Sequence, residues 1–325
     1  MPLSEGFQSK LRLPLIAAPM FLISNPELAL ACCRAGVVGT FPALNQRTSE
    51  GFEQWLVEMH QSIAEMNRQA NQPVAPWGVN LVVHKTNPRW EQDLALCVEH
   101  RVPVVITSLG AASAVVEAVH GYGGLVFHDV TNRRHAEKAA QAGVDGIIAV
   151  AGGAGGHAGT RNPFALLADV RSVFDGTVIL AGALSTGRDL LAARAMGADL
   201  AYMGTRFINT RESAAPEEYR QMIIEATSDD IIHTPAVSGV PANFMRQSLE
   251  AAGFPMDELM KPGAVDYGEK LKPMEDEAKA WKTVWSAGQG VSAIQDIPTT
   301  AGLVDTLERE YRDAAAALRE DPFLI

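Results

Sequence analysis

The sequence predicts a (β/α)8 barrel (TIM barrel) with a helical insertion after its eighth strand. Up to about residue 210, short apolar runs alternate with longer amphipathic segments, and eight such runs can be counted. The runs are apolar on nearly every residue, which is typical of parallel strands that helices cover on both faces. Two of the amphipathic segments, NRRHAEKAAQAG and TGRDLLAARAMG, end in glycine shortly before the next run, as helices commonly do. Eight successive strand–helix units favour a closed barrel.

The apolar runs mark where the strands are expected. They cover residues 15–20, 37–45, 77–83, 102–110, 124–131, 146–153, 177–184 and 200–208. An open, doubly wound sheet is the main alternative. Such a sheet would more often carry a GxGxxG motif after its first strand, whereas this strand ends in AAPM. The barrel is therefore the preferred prediction.

The regular alternation stops after Phe207. Residues 211–283 read as helical without strands, and the segment WSAGQG then leads into a last amphipathic helix, GLVDTLEREYRDAAAALRE. This last helix is expected to be the eighth helix of the ring. The predicted domains are thus a barrel formed by residues 1–210 and 284–325, and a helical cap formed by residues 211–283. The insertion follows the eighth strand, so the cap is expected over the active site.

Composition limits the possible partners and locations. A formal net charge of −11 argues against nucleic acid, which needs clustered lysine and arginine. No apolar run reaches the roughly 18 residues of a membrane span, and the N-terminus does not resemble a signal peptide. Three cysteines without metal-ligand spacing are typical of a reducing compartment, and no metal site is expected. We expect a cytoplasmic protein, and a homodimer is a candidate assembly.

In a barrel of this kind, functional residues lie where the strands end and in the loops that follow. Gly182 precedes a predicted helix whose candidate caps are Ser185 and Thr186, while Gly204 and Thr205 follow the eighth strand. Many barrels bind a phosphate in these two loops through backbone N–H groups and a helix N-terminus. The pair of loops predicts a phosphate-bearing cofactor; the alternative is that the glycines serve only close packing.

The stretch AGGAGGHAGTRNP follows the sixth predicted strand. Its glycines, Gly156 among them, would let a broad ring approach the backbone, and His157 would then project toward that ring as a catalytic base. The alternative for His157 is a structural role. His128, at the end of the fifth strand, is a second candidate; it is interpreted as a cofactor contact, and the alternative is a hydrogen-bonded core histidine. Neighbouring strand residues point to opposite faces, so Asp129 is expected to point the other way.

Five motifs together resemble one known family. LIAAPM, GVNL, AGGAGGHAG, AGALSTGRDLLAARAMGAD and MGTRF are similar to those of the nitronate monooxygenases, formerly called 2-nitropropane dioxygenases. The resemblance covers nearly the whole chain. It implies a barrel that binds FMN non-covalently, with His157 as the catalytic base.

The resemblance also implies which residues surround the isoalloxazine ring of FMN. Ala18, Pro19 and Met20 would lie against the ring. Asn80 and His128 would make polar contacts to it.

The phosphate of FMN would be held by Gly182, Ala183, Gly204 and Thr205, with help from Gln289 in WSAGQG. Two motifs depart from better-known members. Those members carry a glutamine and paired glycines where this chain has AAPM, and an acidic residue where it has AGGAGGH. The chain therefore resembles a divergent subgroup of the family.

The activity implied by the resemblance is the oxidation of alkyl nitronates, such as propionate 3-nitronate, with O2 to a carbonyl compound and nitrite. For a neutral nitroalkane, His157 would first remove the α-proton. One alternative is a flavin-dependent NAD(P)H:quinone reductase or enoyl-ACP reductase on the same scaffold. Another, from a different class, is a non-catalytic module that binds flavin or phosphate.

Overall fold

The computed structural model describes residues 3–69, 74–84, 86–108, 110, 113–237, 239–259 and 284–323. Within these residues, eight parallel strands close into a barrel, and each overlaps one of the predicted runs. The barrel order is β1-β2-β3-β4-β5-β6-β8-β9, and β9 pairs with β1. The predicted (β/α)8 fold is confirmed. The strands are β1 (Leu15–Ala17), β2 (Val38–Pro42), β3 (Trp77–Val82), β4 (Val104–Ser108), β5 (Leu125–Val130), β6 (Gly146–Val150), β7 (Gly156–His157), β8 (Thr177–Ala181), β9 (Leu200–Met203), β10 (Ile231–Thr234) and β11 (Ala242–Met245).

Helices surround the barrel and complete the ring. Several begin at a short polar cap, such as Asn132, whose side chain accepts a hydrogen bond from the backbone N–H of His135. The last helix (Thr300–Arg319) packs against the helices Gly187–Ala195 and Pro26–Ala35, as expected for the eighth helix. The α-helices are α1 (Glu5–Gln8), α2 (Pro26–Ala35), α3 (Ser49–Gln69), α4 (Trp90–Glu99), α5 (Ser113–His120), α6 (Arg133–Gln141), α7 (Pro163–Arg171), α8 (Gly187–Ala195), α9 (Thr205–Ile208), α10 (Glu217–Glu225), α11 (Arg246–Ala251), α12 (Met256–Leu259) and α13 (Thr300–Arg319). Short 3-10 helices cover Ala43–Asn45, Ser228–Asp230 and Gln289–Ala293.

The two faces of the barrel wall are buried in different surroundings. Alternate residues of each strand point inward, and the inward set forms an apolar cluster inside the barrel. The other set packs against the surrounding helices. On β5, for example, Phe127 belongs to the interior cluster, whereas Val126 and Val130 belong to the helix-facing cluster. This alternation determines which residues at a strand end can reach the mouth of the barrel.

The insertion is not purely helical, and that part of the prediction is wrong. Strands β10 and β11 pair antiparallel, and β11 also pairs with β7 in the loop after β6. Each of the two inserted strands has four residues, too few for a period of two to be distinguished from a helical pattern. Residues 260–283 of the predicted cap lie outside the described residues.

None of the helices in the described ranges combines the length and apolar character needed to cross a bilayer. The cytoplasmic location and the homodimer stay predictions.

Candidate active site

The glycine-rich loop after β6 lies against three other segments at the mouth of the barrel. A Cβ atom built on Gly153 would be 3.3 Å from Cβ of Ala183 and 2.8 Å from Oε1 of Gln289. One built on Gly155 would be 3.2 Å from Oγ1 of Thr205. The carbonyl oxygen of Gly153 also accepts hydrogen bonds from the backbone N–H groups of Ala183 (3.2 Å) and Gln289 (2.9 Å). The fold thus brings together predicted site residues from three distant parts of the sequence.

Most glycines of this loop pack against other protein atoms, whereas the prediction was that they leave space for a ring. Protein atoms occupy the space beside them: an added Cβ would lie 3.2 Å from the carbonyl oxygen of Arg161 at Gly152, and 2.9 Å from the backbone nitrogen of Gly288 at Gly155. Gly156 differs, because nothing lies within 4 Å of its added Cβ and its φ is +69°. Gly152 and Gly155 therefore allow close packing of the protein itself, and among these three glycines only Gly156 has open space for another molecule beside it.

The loop after β1 is held rigidly beside the end of β9. A Cβ on Gly204 would be 3.6 Å from Cβ of Ala18 and 3.7 Å from Sδ of Met20. Ala18 is buried, whereas Pro19 and Met20 are half-buried and retain contact with solvent. The side chain of Asn45 donates to the carbonyl oxygen of Met20 at 3.1 Å and fixes the turn. This position suits the predicted apolar contact surface for a flat ring.

The predicted phosphate loop after β8 has an unusual backbone and an unpaired hydroxyl group. Gly182 has φ +130°, and Ala183 has φ +57°, a left-handed conformation that costs a residue with a Cβ roughly 1–2 kcal/mol. The side chain of Ser185 is buried, and its Oγ atom has no hydrogen-bond partner. A buried hydroxyl without a partner is costly unless another molecule supplies the bond. The loop is therefore suited to an anionic group.

The N-terminus of α8 is not available to that anion. Thr186 is the N-cap, as predicted, and forms a capping box with Asp189. The carboxylate of Asp189 accepts the N–H groups of Ser185 (2.9 Å) and Thr186 (2.8 Å), and the N–H of Gly187 donates to Glu310 at 2.7 Å. The groups that would complete the phosphate site are consequently those of the loops, and the helix-terminus part of the prediction is not supported.

His157 is held at the mouth by strand pairing with the insertion. In β7 it lies opposite Ala242 of β11. Its side chain is exposed to solvent, yet many protein atoms surround the ring, and this desolvation lowers the pKa of His157 from its ordinary value. The imidazole is therefore neutral at neutral pH, which is the form that can accept a proton.

Asn243, which no sequence motif singles out, connects the insertion to the glycine-rich loop. Its side chain is buried, and its Nδ2 donates to the carbonyl oxygen of Ala154 at 2.6 Å. Its Oδ1 lies 2.9 Å from Nδ1 of His233. No pattern in the sequence marks this residue, because its role depends on pairing between segments about 85 residues apart. Asn243 positions the loop that carries His157.

A chain of polar side chains lines the opposite side of the mouth. Nδ2 of Asn80 donates to Oγ of Ser108 at 2.8 Å, and Ser108 donates to Oδ2 of Asp129 at 2.5 Å. The other carboxyl oxygen of Asp129, Oδ1, is buried and has no partner. Burial raises the pKa of Asp129 to about 6, opposed by the hydrogen bond from Ser108. The predicted opposite orientation of Asp129 and His128 agrees with the alternation of β5.

That same alternation turns His128 away from the barrel interior. It shares the helix-facing side of β5 with Val126 and Val130, and its Nδ1 lies 2.7 Å from Oγ1 of Thr107. Burial, together with the nearby His135, lowers the pKa of His128 to about 4. The structure does not bring His128 together with the other predicted cofactor residues, because side chains on consecutive strand residues cannot share a face.

The arrangement fits a flat cofactor with an anionic tail. Small residues and backbone groups form one side, the Ser185 hydroxyl lacks a partner, and the polar side chains on the other side can contact a heteroaromatic ring. Among the residues that the structure describes, no group of three or more His, Cys, Asp and Glu side chains could hold a metal ion. These residues could hold such a cofactor, and the neutral imidazole of His157 could accept a proton at the same mouth.

Comparisons with known proteins agree with this geometry. The family model described as nitronate monooxygenase matches residues 7–310. A nitronate monooxygenase from Paraburkholderia phytofirmans is 29% identical, with 94% of each chain covered. A (3aS,4S,5R,7aS)-5-hydroxy-7a-methyl-1-oxo-octahydro-1H-indene-4-carboxyl-CoA dehydrogenase from Rhodococcus jostii is 26% identical and covers 94% of this chain and 95% of its own.

Among solved structures, the fold is similar to that of a nitroalkane oxidase from Streptomyces ansochromogenes. The TM-score is 0.79 at 24% identity, and the match covers 95% of this chain and 98% of the other. At that identity the structural likeness supports the barrel fold alone. The match to the family covers almost the entire chain, however, and the barrel, the glycine-rich loop and His157 all lie within it. The chain therefore belongs to the nitronate monooxygenase family of oxidoreductases.

Proposed function

We propose that this protein is an FMN-dependent nitronate monooxygenase that converts alkyl nitronates, such as propionate 3-nitronate, and O2 into a carbonyl compound and nitrite. The observation that carries the proposal is the position of His157. The pairing of β7 with β11 holds this neutral imidazole at the barrel mouth, in the same loop that contacts Ala183, Thr205 and Gln289. The match to the family and the dependence on flavin that is typical of it support the cofactor and the reaction class.

The residues at the mouth divide the binding of FMN between them. The Ser185 hydroxyl and the backbone of the loops after β8 and β9 would hold the phosphate, and the β1 loop would lie against the ring. When bound, FMN would accept electrons from the substrate and pass them to O2. The residues proposed to contact it are Ala18, Pro19, Met20, Asn80, Gly156, Gly182, Ala183, Ser185, Gly204, Thr205 and Gln289.

His157 would act on substrates that still carry their α-proton. A ring nitrogen of the neutral imidazole accepts that proton from a nitroalkane, and desolvation favours this neutral form by lowering the pKa of His157. A well-placed general base accelerates such a step by about 10²–10⁴-fold. A nitronate has already lost the proton, so its oxidation does not need the base.

The insertion would support His157 from an apolar core of its own. Cross-strand neighbours share a face, so the side chain of His157 lies on the same face of the small sheet as Ala242 and Phe244. Ala242 and Phe244 belong to an apolar cluster with Ile232 and Leu249. All four side chains are buried, so this cluster would hold β11, and through it β7 and His157, in place. This supports the proposal that the insertion, predicted at residues 211–283, acts as a cap over the site.

The proposal can be tested with the purified protein. We expect a yellow protein whose released chromophore is FMN by mass spectrometry, and nitrite release from propionate 3-nitronate in air without NADH. The nitrite should equal the nitronate consumed, within error. A colourless protein that takes up no FMN on reconstitution would contradict the proposal.

A second candidate is reduction of a substrate by NAD(P)H on the same flavin, either a quinone or an enoyl thioester. The Rhodococcus relative, whose name describes a dehydrogenase of a carboxyl-CoA compound, supports a thioester as the substrate class in this candidate. Anaerobic mixing separates the two. Rapid bleaching of the flavin by NADH would favour the reductase, whereas bleaching by nitronate alone would favour the monooxygenase. A non-catalytic flavin module would show neither reaction.

A further inference from the structure

Asp129 is a buried acidic group that the proposed reaction does not use. Its Oδ2 accepts the hydrogen bond from Ser108, whereas its Oδ1 is buried without any partner. The residue as a whole is only half-buried, so part of it still borders open space at the mouth. An ionised carboxyl oxygen in such a place costs free energy unless another molecule supplies a hydrogen-bond partner.

The inward-facing neighbours of Asp129 are uncharged, so its carboxylate is the dominant charge in the barrel interior. Below it, the inward-facing cluster is apolar and includes Ile106, Phe127 and Ile148. Beside it, Ser108 on β4 and Val150 on β6 do not ionise. From β9, Tyr202 interacts with it electrostatically, but burial raises the pKa of Tyr202 well above its ordinary value, so the phenol stays neutral. Within the described strands, Asp129 is therefore the inward-facing group whose charge can change between pH 5 and pH 8.

We propose that Asp129 lowers the reduction potential of the flavin bound at the mouth of this barrel. The inference rests on the proposed function, because it requires FMN at that site. Two-electron reduction of a flavin ring adds two electrons, and when a single proton follows, the ring gains one negative charge. A carboxylate on the adjacent wall repels that charge, and the repulsion is strong where little water screens it. The reduced flavin is disfavoured, and it passes its electrons to O2 more readily.

Ser108 and Asn80 keep the carboxylate in place and charged. The hydrogen bond that Ser108 donates stabilises the ionised form of Asp129, and Asn80 in turn donates to Ser108. Without the Ser108 hydroxyl, we expect the pKa of Asp129 to rise further. The pH at which the carboxylate affects the flavin would then rise with it.

The decisive measurement is the midpoint potential of the flavin at pH 8, determined anaerobically against reference dyes. Wild type is compared with Asp129→Asn and with Asp175→Asn, which removes the same charge from an exposed residue just before β8, at the opposite end of the barrel. We expect Asp129→Asn to favour the reduced flavin at least tenfold, a rise of about 30 mV for a two-electron couple. Asp175→Asn should leave the potential unchanged.

A second set of measurements removes the ambiguity of a single variant. At pH 5, where Asp129 is protonated, the potentials of wild type and Asp129→Asn should converge. If Asp129→Asn fails to fold or to bind FMN, Ser108→Ala takes its place, and the pH dependence of its potential should shift to higher pH than in wild type. Equal potentials of wild type and Asp129→Asn at pH 8, or an unshifted profile of Ser108→Ala, would overturn this inference alone. A wild-type chain that binds no flavin would overturn the proposed function and this inference together.

Discussion

The two halves of the barrel mouth are built in different ways. The loop half, formed by the loops after β6, β8 and β9, consists of glycine, alanine and backbone groups that contact one another directly. The strand half, formed by Asn80, Ser108 and Asp129, is a row of side chains on the inner face of three strands. Backbone groups have a fixed charge distribution, whereas a carboxyl group changes its charge with pH. The loop half can thus bind an anion independently of its own protonation, and the strand half can change the reduction potential of a bound flavin.

The largest expected effect concerns the base that the loop half carries. For His157→Asn, we expect nitrite release from nitroethane to fall by about 10²–10⁴-fold, because no group remains to remove the α-proton. Release from the pre-formed nitronate should stay within about tenfold of wild type. Steady-state kcat/KM values at pH 8 for both substrate forms measure the difference.

The matched control for that experiment is His233→Asn, which changes an exposed histidine on the other face of the small sheet. It should leave both rates near wild type. The pKa of His157 is lowered, so wild-type activity with nitroethane should be constant above about pH 7 and fall only at lower pH. Equal losses on both substrates in His157→Asn would show that the imidazole does not act as a base.

The next largest effect is expected from a substitution that tests whether the insertion positions the loop half. Asn243→Ala removes the donor to the carbonyl oxygen of Ala154 and should lower the free energy of unfolding by about 2 kcal/mol. Turnover of nitroethane should fall, while the dissociation constant of FMN stays the same. Chemical denaturation and fluorescence titration measure the two quantities. His233→Ala, which removes only the exposed partner of Asn243, should cost less than about 0.5 kcal/mol. A loss of FMN affinity equal to the loss of turnover would contradict the positioning role.

A smaller effect is expected where the loop half meets the phosphate. Ser185→Ala removes the buried hydroxyl that lacks a partner, so FMN should bind about tenfold more weakly, as for a hydrogen bond to a charged group. The stability of the flavin-free protein should not fall, since no internal hydrogen bond is lost. Ser172→Ala, at the far end of α7, is the control. Unchanged FMN affinity in Ser185→Ala would remove this hydroxyl from the proposed site.

The smallest expected effect is on the stability of the flavin-free protein when Asp129 of the strand half is replaced. The pKa of Asp129 in the folded protein, about 6, lies above its ordinary value of 3.8, so the folded state holds the proton more tightly. Stability is therefore lost as pH rises from about 4 to about 6 and is constant above that range. Asp129→Asn should stabilise the flavin-free protein by about 1 kcal/mol at pH 8, after allowance for partial solvent exposure, and by almost nothing at pH 4. Thermal unfolding at the two pH values tests this; an equal change at both would contradict it.

Much of the site follows from strand order alone. Gly182 and Gly204 could be placed at the mouth because the ends of successive parallel strands must lie on one side of a barrel. The role of the glycines at 152 and 155 could not be predicted, because their neighbours come from the loop at residues 287–289 and from the turn before α7. For His128, the residue type suggested a cofactor contact, whereas the alternation of β5 turns its side chain toward the helices and leaves Asp129 on the inner face.

The sequence by itself determined the barrel. Burial on both faces makes each parallel strand a continuous apolar run, and the sequence contains eight such runs. Because each run is a local pattern, it can be recognised without any knowledge of long-range contacts. Tertiary structure alone decided how the insertion joins the site. The pairing of His157 with Ala242, the bridge from Asn243 to Ala154 and the unpartnered oxygens of Ser185 and Asp129 all depend on segments that are distant in the chain. Hydrogen-bond partners and the burial of single atoms are properties of the packed molecule, and no local pattern of residue types encodes them.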